Sequence, residues 1–159
     1  MKTSLQLFGK WIAVAAVVAA FTLGCGADTA RAHCQVPCGI YDDAARITQL
    51  REDAATIAKA IMKIRELAAK HDPNAFNQAT RWTATKDEHA SRIIATVSEY
   101  FLTQKVKPAA AGSDAREQYL AKLGDHHAVM VAAMKTKQQV NAQTVTALEK
   151  AIDQLATHY

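Results

Sequence analysis

Three residues near the start of the chain, His33, Cys34 and Cys38, have the types and spacing to hold a redox metal. A cut directly ahead of His33 would free an α-amine. That amine, the backbone amide nitrogen of Cys34 and the Cys34 sulfur would then close consecutive chelate rings on one ion. Gln35, Val36 and Pro37 separate the cysteines, a gap that can bring Cys38 round to the fourth corner of an N₂S₂ plane. The His33 imidazole is the natural axial donor. Tetragonal nitrogen-rich sites suit Ni(II) or Cu(II), whereas Zn(II) prefers a tetrahedron. A deprotonated backbone amide also favours nickel or copper, and an axial nitrogen would stabilise the higher-valent metal that a one-electron cycle needs.

The residues ahead of His33 read as a leader that such a cut would remove. Lys2 and Lys10 give a basic start, and residues 11–23 form an apolar run of 13. A membrane span needs about 20, so the run fits the core of a secretory signal. Ala30-Arg31-Ala32 supplies an A-x-A cleavage site, and His33 comes next. The expected organisation is a cleaved leader over 1–32 and a mature domain over 33–159, opening with a hook over 33–41. Export, with the periplasm as destination, is the expected location; a processed presequence in the cytoplasm is the alternative. Either way a peptidase must expose His33. A lipoprotein signal at Cys25 competes, but Phe21-Thr22-Leu23-Gly24 puts Thr where Leu is usual.

The run His33-Cys34-Gln35-Val36-Pro37-Cys38-Gly39-Ile40-Tyr41 resembles the nickel hook, H-C-x-x-P-C-G-x-Y, of the nickel-containing superoxide dismutase family. Glu99-Tyr100-Phe101 looks like a tyrosine-phenylalanine element of the same family. The resemblance implies a four-helix bundle assembled as a homohexamer, with one nickel ion per subunit held by His33, Cys34 and Cys38. It implies superoxide as substrate, converted to dioxygen and hydrogen peroxide by Ni(III)/Ni(II) cycling. It also implies a cis Pro37, Tyr41 over the open face of the metal, and Tyr100 as a supporting partner. The best-known members carry Asp where this chain has Gln35, a position that is not a ligand. Two other readings stand beside this one. The same hook could serve a non-catalytic nickel or copper carrier. Alternatively, Cys34 and Cys38 could form a disulfide on a purely structural bundle, as cysteine pairs in exported proteins ordinarily do.

Whatever binds at the hook must be positioned by the chain beyond it. Pro37 and Gly39 keep 33–41 out of regular helix. Beyond residue 41 the pattern is all-α and predicts an antiparallel four-helix bundle. The first helix is expected over 43–69, with Ile47, Leu50, Ala54, Ile57, Ile61, Ile64 and Leu67 as its apolar stripe. The second is expected over 74–106, with Trp82, His89, Ile93, Val97, Tyr100 and Phe101 facing inward. Asp114 and Glu117 read as a capping box for the third, whose inner stripe would be Leu120, Leu123, His127, Met130 and Met134. Asn141 is the expected N-cap of the fourth, with Val145, Leu148, Ile152 and Leu155 inside.

The remaining features exclude more than they suggest. The formal net charge is +4, with no dense Lys/Arg stripe, so no nucleic-acid partner is expected. The hook has few basic neighbours in sequence, so no substrate-steering group can be named there. C-x-x-C-H is absent, which removes haem attachment. His126 and His127 point about 100° apart on a helix and cannot share a ligand face, so one is expected packed and the other solvated. His89 is expected as a hydrogen-bonded core or interface residue, and Met130 and Met134 as core filler.

Overall fold

The computed structural model describes residues 42–159. Four α-helices account for most of them: α1 (Asp43–Ala68), α2 (Pro73–Ala95), α3 (Arg116–Gln138) and α4 (Ala142–Ala156). A π-helical segment, Thr96–Lys105, continues α2 without a break. No strand occurs among the described residues. α1 packs on α2 and α4, and α3 packs on the same two helices. With short connections, that closes an antiparallel bundle around one core.

Three of the four helices start where a side chain can accept from the first free amides. Asp42 accepts from Ala45 N (2.7 Å) and Asn141 from Thr144 N (3.0 Å). Asp72 accepts from Asn74 N and Ala75 N, and Pro73 fills the first helical position, where its missing N–H costs nothing. The expected capping box at Asp114 does not form, and α3 begins at Arg116 without a side-chain cap. Asp114 lies inside consecutive turns closed by Ser113 N to Ala110 O and Arg116 N to Ser113 O. It therefore lacks the extended entry geometry of an N-cap. Gly112, with φ of 78°, allows those turns.

The stripe of α4 is buried as expected, and that of α1 as far as Ile61, with Ile64 and Leu67 half-buried near its end; Leu50, Ile57, Leu148, Ile152 and Leu155 are fully enclosed. Each such side chain contributes about 1.5–3 kcal/mol. The stripe of α3 is not the expected one. Its buried residues are His126, Val129, Ala132, Ala133 and Thr136, while Leu120, His127 and Met134 are exposed. Periodicity in apolar residues missed this face because two of its members are polar and two are alanines. The polar members are satisfied internally: the Thr136 hydroxyl donates to Ala133 O, and His126 bonds to Lys122 O and the Tyr159 hydroxyl.

The second helix also departs from the simple α-helix expected over 74–106. From Thr96 the hydrogen bonds lengthen to a five-residue period. Val106 N donates to Phe101 O five residues back, and the Thr103 hydroxyl and the Gln104 side-chain amide reach over the same span to Ser98 O and Glu99 O. In a π register, residues four and five apart become neighbours, where an α-helix pairs three and four. Nothing in residue propensity announces this change.

Candidate metal centre

Asp42 fixes where the expected hook joins the bundle. It directly follows Tyr41 in sequence and caps α1 with an extended backbone (φ −89°, ψ 146°). His33, Cys34, Cys38 and Tyr41 themselves lie outside the described residues. Five residues of chain span at most about 18 Å, so the side chains at the root of α1 are those within reach of Cys38.

Those side chains form a linked cluster. Asp43 Oδ1 accepts from the Tyr100 hydroxyl (2.6 Å) and from the Lys105 ammonium (2.9 Å). The same ammonium stands 5.3 Å from the centroid of the Tyr100 ring, and the Arg46 guanidinium stands 5.9 Å from it, both within cation–π range. Burial pushes the Asp43 carboxyl up. The hydrogen bonds from Tyr100 and Lys105, with the Lys105 charge, outweigh it and hold the group below its ordinary value. Burial and the Asp43 hydrogen bond raise the Tyr100 phenol, so its proton stays on the oxygen and points at Asp43.

Behind Tyr100 the cluster runs into the core. Phe101 meets Tyr100 edge to face, centroids 5.0 Å apart, and Tyr159 lies 4.5 Å from Phe101 on another side. His126 Nδ1 donates to the carbonyl of Lys122 (2.6 Å), so Nε2 accepts from the Tyr159 hydroxyl (2.8 Å). His127 is exposed, as expected of one of the two histidines. Burial lowers His126 despite the Lys122 carbonyl, and burial together with the nearby Asp43 charge raises Tyr159 far above a free phenol.

A second polar cluster lies between α1 and α2. Asp53 is buried, and its Oδ1 accepts from His89 Nδ1 (2.6 Å) and from Arg92 (3.3 Å). His89 is thus the hydrogen-bonded residue that its stripe suggested.

The bundle offers no rival metal site. Among the described residues no three His, Cys, Asp or Glu side chains gather to hold an ion. All three cysteines of the chain precede residue 42. A family model described as nickel-containing superoxide dismutase matches residues 28–159, the whole bundle and the stretch ahead of it. The chain belongs to the nickel-containing superoxide dismutase family. It is a nickel-dependent oxidoreductase with superoxide as substrate and one nickel ion per subunit. No curated protein and no solved structure matches it.

Of the expected site residues the structure describes Tyr100 alone, and it sets it beside Asp43 at the start of α1. It adds Asp43 and Lys105, which sequence reasoning missed. Asp43 could have been flagged by its place two residues after Tyr41. Lys105 could not, because only the π register brings it to Tyr100.

Proposed function

We propose that the nickel ion is bound by His33, freed as the mature N-terminus, together with Cys34 and Cys38. The His33 amine and imidazole, the Cys34 amide nitrogen and the two thiolates would be the donors that hold it. The observation that carries this reading is that Cys34 and Cys38 are the sole cysteines within the 28–159 stretch that the family model covers. Thiolates are the soft donors of the chain, and with amine and amide nitrogen they fit a tetragonal nickel site.

When bound, nickel would supply the Ni(III)/Ni(II) couple through which one superoxide is oxidised to dioxygen and another, taking up two protons from water, is reduced to hydrogen peroxide. The chain does the rest. Pro37 shapes the loop between the thiolates, and Tyr41 limits what reaches the open face. The Tyr100 hydroxyl, its proton directed to Asp43 Oδ1, holds the wall of the site and is not the proton source for peroxide. A peptidase acting after Ala32 makes the amine available, and the leader directs export, so nickel is loaded during or after transit. The subunits assemble as a homo-oligomer, a hexamer by the family resemblance. Met62, Phe76, Leu120, Met134 and Val140, all exposed on the single chain, give apolar surface for such contacts.

Metal analysis and stopped-flow superoxide decay on Cys34→Ser and Cys38→Ser test the reading. A hydroxyl is a hard, weak donor to nickel. Each variant is expected to lose its nickel and to decay superoxide no faster than the free ion. Full nickel content in either serine variant would refute the ligand set. Native protein with a Cys34–Cys38 disulfide and no nickel would point instead to a structural bundle.

A further inference from the structure

Beside the Asp43–Tyr100 cluster lies a cleft of about 310 Å³ lined by three cations and no carboxylate. Lys105 comes from the end of the π segment, Lys107 from the connection after it, and Lys122 from α3. Lys107 and Lys122 form no ion pair with any described residue, while Lys105 shares Asp43 Oδ1 with Tyr100. The backbone of the cleft is anchored. Arg116 donates to Ala109 O (2.8 Å), and Val106 N donates to Phe101 O (3.0 Å). The cations are therefore carried on a fixed wall.

We propose that this cleft gathers superoxide for the nickel centre, with Lys105 as its innermost cation. The proposal rests on the reading that the hook, rooted at Asp42, holds the metal. Superoxide carries one negative charge, and a cleft of one sign raises local concentration and association rate by about 10- to 1,000-fold. Range decides which lysines count. Screening acts over roughly 8 Å at physiological salt and 30 Å at 0.01 M, against a reach of about 18 Å from Asp43 to Cys38. At low salt all three charges are felt at the hook. Lys107 and Lys122 supply the net positive field, because Asp43 is ion-paired to Lys105 at the start of α1. The π register is what places Lys105 there, linking the cleft to the start of α1.

The test uses nickel-loaded enzyme carrying Lys107→Gln with Lys122→Gln, and the charge-keeping pair Lys107→Arg with Lys122→Arg. The second-order rate constant for superoxide is measured against ionic strength, together with nickel content and melting temperature. The glutamine pair is expected to lower the low-salt rate constant on the order of three- to tenfold and to flatten its salt dependence, with nickel content and melting temperature unchanged. The arginine pair is expected to match wild type. An unaltered salt slope in the glutamine pair would overturn the proposal. Chloride NMR line broadening by the metal-free full chain reads the cleft without the metal. It weakens in the glutamine pair if the cleft collects anions and stays the same if it does not. A wild-type enzyme without nickel at the hook would be a failure of the binding site, distinguishable from a failure of the cleft.

Discussion

Lys105 lies over the ring of Tyr100, five residues before it in a π-helical turn, and both side chains end on the same oxygen of Asp43. At about 100° per residue an α-helix would set positions 100 and 105 some 140° apart, on different faces. The rare register thus makes three contacts at once: phenol to carboxylate, ammonium to carboxylate and ammonium to ring. All three lie where α1 begins, two residues after Tyr41 in sequence.

Removing the phenol tests how much of that junction is structural. Tyr100→Phe loses a hydrogen bond to a charged acceptor, worth about 1.5–3 kcal/mol when buried. The Asp43 side chain is 28% exposed, so solvent replaces part of it and the expected loss is about 1 kcal/mol by chemical denaturation. Nickel content and the pH profile of turnover should not change, because the lost proton faced Asp43. A variant that no longer binds nickel would show that Tyr100 does more than support the wall.

Acid should destabilise the bundle in two stages. His126 has a folded pKa below its ordinary value of about 6.5. The unfolded chain therefore takes up its proton first, and stability falls as pH drops below about 6.5. Asp43 is also held low when folded. Its contribution is complete above the usual carboxylate value of about 4 and is lost as pH falls through the lower, folded value. Melting temperature measured from pH 8 to pH 3 should show both declines. His126→Gln should remove the upper one, and a melting temperature that is flat between pH 7 and pH 5 in the wild type would contradict it.

Lys86 holds two helices together from inside. It is 1% exposed, and its ammonium donates to the carbonyls of Thr136 (2.7 Å) and Lys137 (2.8 Å) and to Asp87 (2.7 Å). A cation at the C-terminal end of α3 also opposes the partial negative charge of that end. Lys86→Met keeps the bulk but strands the carbonyls. The expected cost is about 3 kcal/mol in urea unfolding; a cost below about 1 kcal/mol would mean that water takes over the cap.

The parts legible in sequence were those encoded locally. Asn141 and the Val145, Leu148, Ile152 and Leu155 stripe defined α4 because capping and periodicity act over one or a few turns. Met134 reads as core by residue type and is exposed. The inner face of α3 carries His126 and Thr136, polar groups that can be buried because the Tyr159 hydroxyl, from the C-terminal residues beyond α4, bonds to His126 and the Thr136 hydroxyl turns back to Ala133 O. The hook motif stands out in sequence because its proposed donors fall within six consecutive residues, 33–38. The cluster around Tyr100 does not. Tyr100 and Asp43 are 57 residues apart, and the cations of the cleft come from two stretches, residues 105–107 and α3, so their juxtaposition exists only in the folded chain.

In the proposed coordination, nickel binding turns on the free amine of His33. The direct measurement compares chains that begin at His33 and at Ala32, each loaded with nickel, for metal content and for the rate of superoxide decay. The chain beginning at His33 should hold one nickel ion and dismute superoxide. In the chain keeping Ala32 the amine is an amide, and activity should fall to the level of a cysteine variant. Equal rates from the two chains would contradict the proposed coordination.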